Sequence, residues 1–204
     1  QSCLILDKPS GIASNQALAK IKKKINQKKA GFSGTLDPLA SGLLIIFFNK
    51  ATKLCSLFLG ADKSYEATIK LGYVSETGDS DGEIISVKDV PSLDEKDLRI
   101  LEEKYTGVIE QVPPMYSALK HKGVRLYEYA RKGINIERDS RKVTIYNIRL
   151  DIIDKSNLAL KVKCSKGTYI RTLAEQIGED IGCGALLTKL VRTQINNIDL
   201  SSAV

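Results

Sequence analysis

Leu43, Leu44, Ile45, Ile46, Phe47 and Phe48 form an unbroken apolar run closed by Asn49 and Lys50. The run is too short to cross a bilayer and lacks the polar alternate positions of a surface strand, so it predicts a buried strand. Other strands announce themselves by alternation. Tyr65, Ala67, Ile69 and Leu71 alternate with Glu66, Thr68 and Lys70, which puts Tyr65 on an apolar strand face. Residues 143–152 and 158–164 alternate as well and predict an antiparallel hairpin that turns at 154–157, and residues 2–6 add a short strand. Helices are mixed among these. One follows the loop Asp7-Lys8-Pro9-Ser10-Gly11, capped by Ser14 or Asn15, with Leu18, Ile21 and Ile25 as its core stripe. Residues 51–59 predict a short helical stretch, with Leu54, Leu57 and Phe58 apolar, that ends near Gly60. Residues 94–105 use Leu98, Leu101 and Tyr105, residues 168–180 follow the hairpin, and residues 185–192 fit a helix or a strand. Strands and helices mix without strict β-α alternation, which predicts the α+β class.

Bulk properties narrow the chemistry. The 204 residues, 43% of them hydrophobic, suffice for one sizeable domain. The apolar residues Cys3 to Leu6 are followed at once by Asp7 and Lys8, unlike a signal peptide, and a cytoplasmic protein without a membrane anchor is expected. Cys3, Cys55, Cys164 and Cys183 are far apart and have only one histidine to join them, so they predict buried free thiols rather than a zinc site. The same scarcity leaves His121, in a Lys-Gly context, poorly suited to a catalytic triad. No phosphate-binding loop is present, and Gly182-Cys183-Gly184 follows a helix rather than a strand, which argues against a nucleotide cofactor. Asp79, Asp81 and Glu83 could gather a divalent ion, but Gly78 and Gly82 make a tight surface turn the preferred account. The net charge of +7 favours polyanionic partners. Lys20, Lys22, Lys23, Lys24, Lys28 and Lys29 concentrate it, either as an RNA-facing surface or as a solvated helix face.

Two segments remain. After the break at Val112-Pro113-Pro114, aromatic and basic residues interleave: Tyr116, Lys120, Arg125, Tyr127, Tyr129 and Arg131 among them. This suits an insertion that faces RNA, and an amphipathic helix would look similar. The other is Gly31-Phe32-Ser33-Gly34-Thr35-Leu36-Asp37-Pro38-Leu39-Ala40-Ser41-Gly42, a glycine-punctuated loop that leads into the buried strand and carries one acid. Asp37 fits a turn former before Pro38 and fits a catalytic carboxylate, and spacing alone leaves both open.

That loop resembles the signature of the TruB family of tRNA pseudouridine synthases, G-H-x-G-T-L-D-P-x-A-x-G-x-L, with Phe32 where the family usually has histidine. Further blocks resemble the family in the same order: Asp7-Lys8-Pro9-Ser10-Gly11, Asp62-Lys63-Ser64-Tyr65, Pro114-Met115-Tyr116-Ser117-Ala118-Leu119-Lys120, Tyr127-Glu128-Tyr129-Ala130-Arg131 and Cys164-Ser165-Lys166-Gly167-Thr168-Tyr169-Ile170-Arg171. The resemblance implies the pseudouridine synthase fold, a mixed and mainly antiparallel sheet with flanking helices. It implies a catalytic domain over residues 1–204, with an RNA-clamping insertion at about 112–138. Family members commonly continue into a small C-terminal RNA-binding domain, whereas this sequence stops at Val204, and no C-terminal PUA domain is expected.

The implied reaction converts uridine to pseudouridine at position 55 of the tRNA T loop. The base is detached, rotated and rejoined through C5, with no cofactor and no metal. The implied partner is tRNA, held by its T arm and T loop, and the protein is expected to be a monomer. By the same resemblance Asp37 is the catalytic carboxylate, acting as nucleophile or base, and Arg171 pairs with it through a bidentate contact. Tyr65 stacks on the extruded base, and its phenol is a candidate for the final proton removal from C5. Tyr169 and Leu190 line the uridine pocket, Phe32 stands beside the extruded nucleotide, Lys8 and Pro9 support the site, and Lys63 contacts a phosphate. Three alternatives stay open: an RNA-binding or tRNA-folding factor with weak catalysis, a guide-RNA-dependent relative, and a metal-dependent nuclease using Asp79, Asp81 and Glu83.

Overall fold

The computed structural model describes residues 3–203, so Ser2, the first residue of the expected N-terminal strand, lies outside the described residues. The chain opens with β1 (Cys3–Lys8), α1 (Ser14–Lys24), β2 (Ala30–Phe32) and β3 (Ser41–Phe48). A 3-10 turn at Asn49–Leu54 leads into the short α2 (Cys55–Leu59) and then β4 (Lys63–Leu71). Two three-residue strands, β5 (Tyr73–Ser75) and β6 (Ile84–Ser86), form a separate ribbon before α3 (Glu95–Tyr105) and β7 (Gly107–Gln111). The expected insertion folds as a miniature hairpin, β8 (Lys120–His121) with β9 (Val124–Arg125), followed by the single-turn α4 (Leu126–Ala130). The long hairpin β10 (Arg141–Asp154) and β11 (Asn157–Cys164), α5 (Ile170–Ile181), β12 (Ala185–Ile195) and β13 (Ile198–Asp199) complete the chain.

The main sheet runs β1-β3-β12-β4-β11-β10-β7, with β2 added to β3 and β13 to β12. Its pairs are antiparallel except β3 with β12, so the α+β, mainly antiparallel expectation describes it. In β3 the six apolar side chains are each at most 2% exposed, because β1 and β12 flank the strand and both faces are covered. Each such side chain contributes roughly 1.5–3 kcal/mol before chain entropy is counted. Leu43, Ile45 and Phe47 join Ile195 in a small core at the β1 end. The larger core forms where β4, β10, β11 and β12 meet α3 and α5. In β4 Tyr65, Ala67, Ile69 and Leu71 are all buried, as the alternation requires.

Two local readings change and one is resolved. The first helix is preceded by Ala13 rather than capped by Ser14 or Asn15, and Gln16 Oε1 accepts from the Ala13 N–H. Ser14 is drawn away by tertiary contacts, since its hydroxyl both accepts from Leu36 N–H and donates to Leu36 O. Within α1 only Ser14 and Ala17 are buried and Ile25 is exposed, so the expected apolar stripe is only partly covered. Finally, residues 185–192 belong to a strand. Register shifts between Leu187 and Lys189 and between Arg192 and Gln194 interrupt its alternation, and such bulges turn consecutive side chains toward one face.

Candidate active site

Asp37 stands on the irregular segment between β2 and β3, and the chain around it is fastened from both sides. Below the loop, Gly11 N–H donates to Pro38 O at 2.8 Å, Ser10 Oγ to Leu39 O at 2.7 Å and Ser14 Oγ to Leu36 O at 2.9 Å. Lys8 is fully buried, and its ammonium donates to Pro9 O and Ile12 O, which keeps that supporting loop curled. Burial lowers the Lys8 ammonium to about 8. At the far end Gly42 has φ +99°, and a Cβ there would overlap the Arg192 backbone, so only glycine lets β3 meet β12 at this point.

Arg171, from the first turn of α5, reaches back to this loop, with Nη2 2.9 Å from Asp37 Oδ2. The expected bidentate grip is replaced by a single contact, because the same guanidinium serves other partners. Nη1 donates to Thr77 O at 2.5 Å, Nη2 also to Tyr116 O at 2.8 Å, and Nε lies 3.7 Å from Asp79 Oδ2. The Arg171 side chain is 5% exposed and that of Asp37 is 37% exposed, so a buried cation presents a reachable carboxylate.

Asp79 corrects the surface-turn reading. It is 3% exposed, and its Oδ1 accepts from Thr77 Oγ1 at 2.7 Å and Asp81 N–H at 3.1 Å. The turn is stitched to β12 by Leu187 N–H to Gly78 O and Ser80 N–H to Leu187 O. Gly78, at φ +75°, has no room for a Cβ beside the Glu175 carboxylate. Turn composition marks the bend, but the sheet edge beneath decides that Asp79 points inward.

Two connected hollows meet at Asp37. The inner recess, about 280 Å³, is lined by Asp37, Tyr65, Tyr169, Arg171, Leu190 and Arg192. The outer cleft, about 530 Å³, lies between Phe32 and Asn15 on one side and Arg125, Tyr127 and Arg131 of the insertion on the other. Tyr65 and Leu190 are 9% and 7% exposed. Burial pushes the Tyr65 phenol up, and the facing Arg192 opposes that rise. The Tyr169 phenol is likewise raised by burial. Gln111 holds the Tyr169 backbone through its N–H at 3.0 Å and its carbonyl at 3.2 Å. In the insertion Arg125 and Arg131 lie 5.9 and 5.3 Å from the Tyr127 ring, a cationic and aromatic cluster above the carboxylate.

Lys63 departs from its expected role. Its ammonium donates to Phe58 O, Leu59 O and Ala61 O at the end of α2, and burial lowers it to about 8. Only 8% exposed, it braces α2 rather than presenting a charge to a phosphate. Reasoning from the sequence considered Asp79 only as a surface-turn residue or a metal ligand, not as a partner of Arg171, and did not single out Thr77 or Arg192. Arg192 follows Leu190 and Val191 but is itself followed by Thr193 and Gln194, so the sequence carried no clear signal for it. Among the described residues no group of three or more His, Cys, Asp or Glu is arranged to hold a metal ion, and no helix is long and apolar enough to cross a membrane.

The fold is that of the pseudouridine synthases. Solved structures that resemble the chain include one from a Cbf5-Nop10-Gar1 complex, at TM-score 0.74 and 31% identity over 95% of this chain and 48% of that one. Another, from an H/ACA RNP bound to a substrate RNA containing 2'-deoxyuridine, gives TM-score 0.73 and 28% identity over 100% of this chain and 50% of the other. The profile of the TruB family pseudouridylate synthase (N terminal domain) matches residues 22–170, and the chain belongs to the TruB family. Similar curated proteins include the tRNA pseudouridine synthase B of Chromohalobacter salexigens, 50% identical over 93% of this chain, and that of Burkholderia mallei, 52% identical over 98% of it. The chain spans 62% and 66% of the length of those two relatives.

Proposed function

We propose that this chain is the catalytic domain of a tRNA pseudouridine synthase that isomerises uridine 55 in the T loop. The observation that carries this reading is the Asp37 carboxylate, partly exposed at the mouth of a recess and held 2.9 Å from a buried Arg171, with Tyr65 and Leu190 lining the same recess. An extruded uracil enters the recess, stacks on Tyr65 and packs against Leu190 and Tyr169. Extrusion costs about a few kcal/mol. Binding by the insertion offsets that cost: residues 112–138 clamp the T arm, and Arg125, Tyr127 and Arg131 sit above the site. Phe32, beside Asp37 in the outer cleft, offers a ring face to the displaced nucleotide without needing a proton. Asp37 attacks the ribose or base, or removes a ribose proton, and after rotation of the base the C5 proton leaves. None of these steps consumes a metal or cofactor. The protein acts as a monomer in the cytoplasm, where tRNA matures.

Relatives named tRNA pseudouridine synthase B match at 50–52% identity, whereas the two RNP-derived structures match at 28–31%, which favours the unguided reading. The test is incubation with an unmodified tRNA transcript and no guide RNA, followed by pseudouridine-specific labelling and sequence mapping. One modified site, at uridine 55, is expected. Absence of pseudouridine with tight RNA binding would favour a tRNA-folding factor instead.

A further inference from the structure

Arg192 is among the largest fully buried side chains, 1% exposed, and none of the ion pairs among the described residues involves it. Such a cation is expensive to hold unless hydrogen bonds or an anion compensate it. Two of its nitrogens meet carbonyls: Nε donates to Leu43 O at 2.8 Å and Nη2 to Gly34 O at 3.1 Å. These carbonyls belong to the two flanks of the Asp37 segment. Arg192 also stands opposite Tyr65 in the β12–β4 register, and the bulge that follows it aims its side chain inward.

The groups facing the Tyr65 phenol are Arg192 from β12, Cys164 from β11 and Asp37 from the loop. Lys63 and Lys8 lie near Arg192 and add to the positive charge around it. The Cys164 thiol is itself raised to about 11 by burial and stays neutral near pH 7. Asp37 is already engaged by Arg171. Burial raises the Tyr65 phenol as well, but Arg192 stands opposite it and opposes that rise, so Tyr65 is the group on the recess wall whose ionised form Arg192 favours directly.

We propose that Arg192 is a positioning residue for removal of the C5 proton: it ties both flanks of the Asp37 loop to β12 and stabilises the phenolate form of Tyr65. This rests on the isomerase reading above. In the step concerned, the rejoined base carries both the ribose and a proton on C5. The C5–H electron pair returns to the ring as the C5=C6 double bond, and the N1=C6 pair returns to N1, which takes a proton from water. The C5 proton passes to the Tyr65 phenolate, giving phenol, which releases it to solvent before the next turnover. The guanidinium lowers the energy of that phenolate and, by its carbonyl bonds, keeps phenol and carboxylate in one frame.

The experiment follows tritium release from a T-arm RNA labelled at C5 of the target uridine, under single turnover, across pH. Binding is measured separately. Arg192→Gln is expected to slow release about tenfold at neutral pH and to move the pH midpoint up by about one unit, while Arg192→Lys restores much of both. Should Arg192→Gln fail to fold, 3-fluorotyrosine at position 65 in the otherwise unchanged chain tests the same idea. Its more acidic phenol must move the midpoint down. An active wild-type protein whose pH profile does not move in the variants overturns the proposal alone. A wild-type protein that forms no pseudouridine at any pH overturns the isomerase reading, and the proposal with it.

Discussion

At the scale of single residues the site is a division of labour around one guanidinium. Arg171 meets Asp37 on one side and Asp79 on the other, and two carbonyls fix its plane, so the reachable carboxylate is held by a group that cannot swing away. Asp37→Asn keeps the shape and removes the charge. It is expected to abolish isomerisation in a single-turnover assay while RNA affinity stays within a few-fold, and retained turnover would remove Asp37 from the chemistry. Glu175, on α5, lies near the same arginine and gives a pH signature. Burial raises its carboxyl from an ordinary 4.5 to about 7, with Arg171 opposing the rise and Glu179 and Asp79 adding to it. The folded state thus holds this proton where the unfolded chain has lost it, so the group's contribution to stability falls as pH rises from about 4.5 to about 7 and is flat above. Glu175→Gln is expected to flatten that decline and to raise stability at pH 8 by up to about 2 kcal/mol, measured by urea unfolding at several pH values. A variant less stable than wild type at pH 8 would contradict this.

At the scale of elements, the decisive junction is the short parallel contact of β3 with β12, registered at Ser41 with Val191 and Gly42 with Arg192. Through it the end of the Asp37 loop is fixed to the strand that carries Leu190 and Arg192. Gly42→Ala places a methyl group against the Arg192 carbonyl and a side chain at φ +99°. A loss of about 3 kcal/mol in unfolding free energy is expected, at the upper end for such backbone strain, together with a fall in turnover larger than any fall in RNA binding. Wild-type stability in a denaturant titration would show that the junction yields. The same strand explains one ambiguity of the sequence. Period two identifies β4 and the β10–β11 hairpin, whereas β12 carries two bulges and reads equally as a helix.

Over the whole molecule, charge is unevenly displayed. Lys20, Lys23, Lys24, Lys28 and Lys29 are exposed on α1 and the turn after it, and Asn15, at the start of α1, lines the outer cleft. The helix therefore leads from the cleft to a basic surface suited to a polyanion. Reversing several of these lysines is expected to weaken tRNA binding and to flatten the slope of log affinity against log salt by roughly 0.7–0.9 per lost phosphate contact. An unchanged slope would make the face merely solvated.

The sequence by itself determined the parts whose physics is local. An unbroken apolar run marks β3, and apolar periodicity marks β4, the long hairpin and α3, because a run or a period of two or of 3.6 needs no knowledge of the partner surface. The glycine-bounded loop around Asp37 was visible as an irregular segment with one acid, open between a turn and a site, and only resemblance to a family gave it a chemical reading. Tertiary structure alone decided which polar groups meet. Asp79 faces Arg171 because its turn is stitched to β12, Lys63 turns to the carbonyls at the end of α2, and Arg192 stands between two loop flanks and a tyrosine. Asp79 and Arg171, and Arg192 and its loop flanks, are distant in sequence, whereas Lys63 finds its carbonyls two to five residues away, at a bend that the packing of α2 sets. Burial makes each polar group seek a partner, and only the packed sheet determines which one lies within reach.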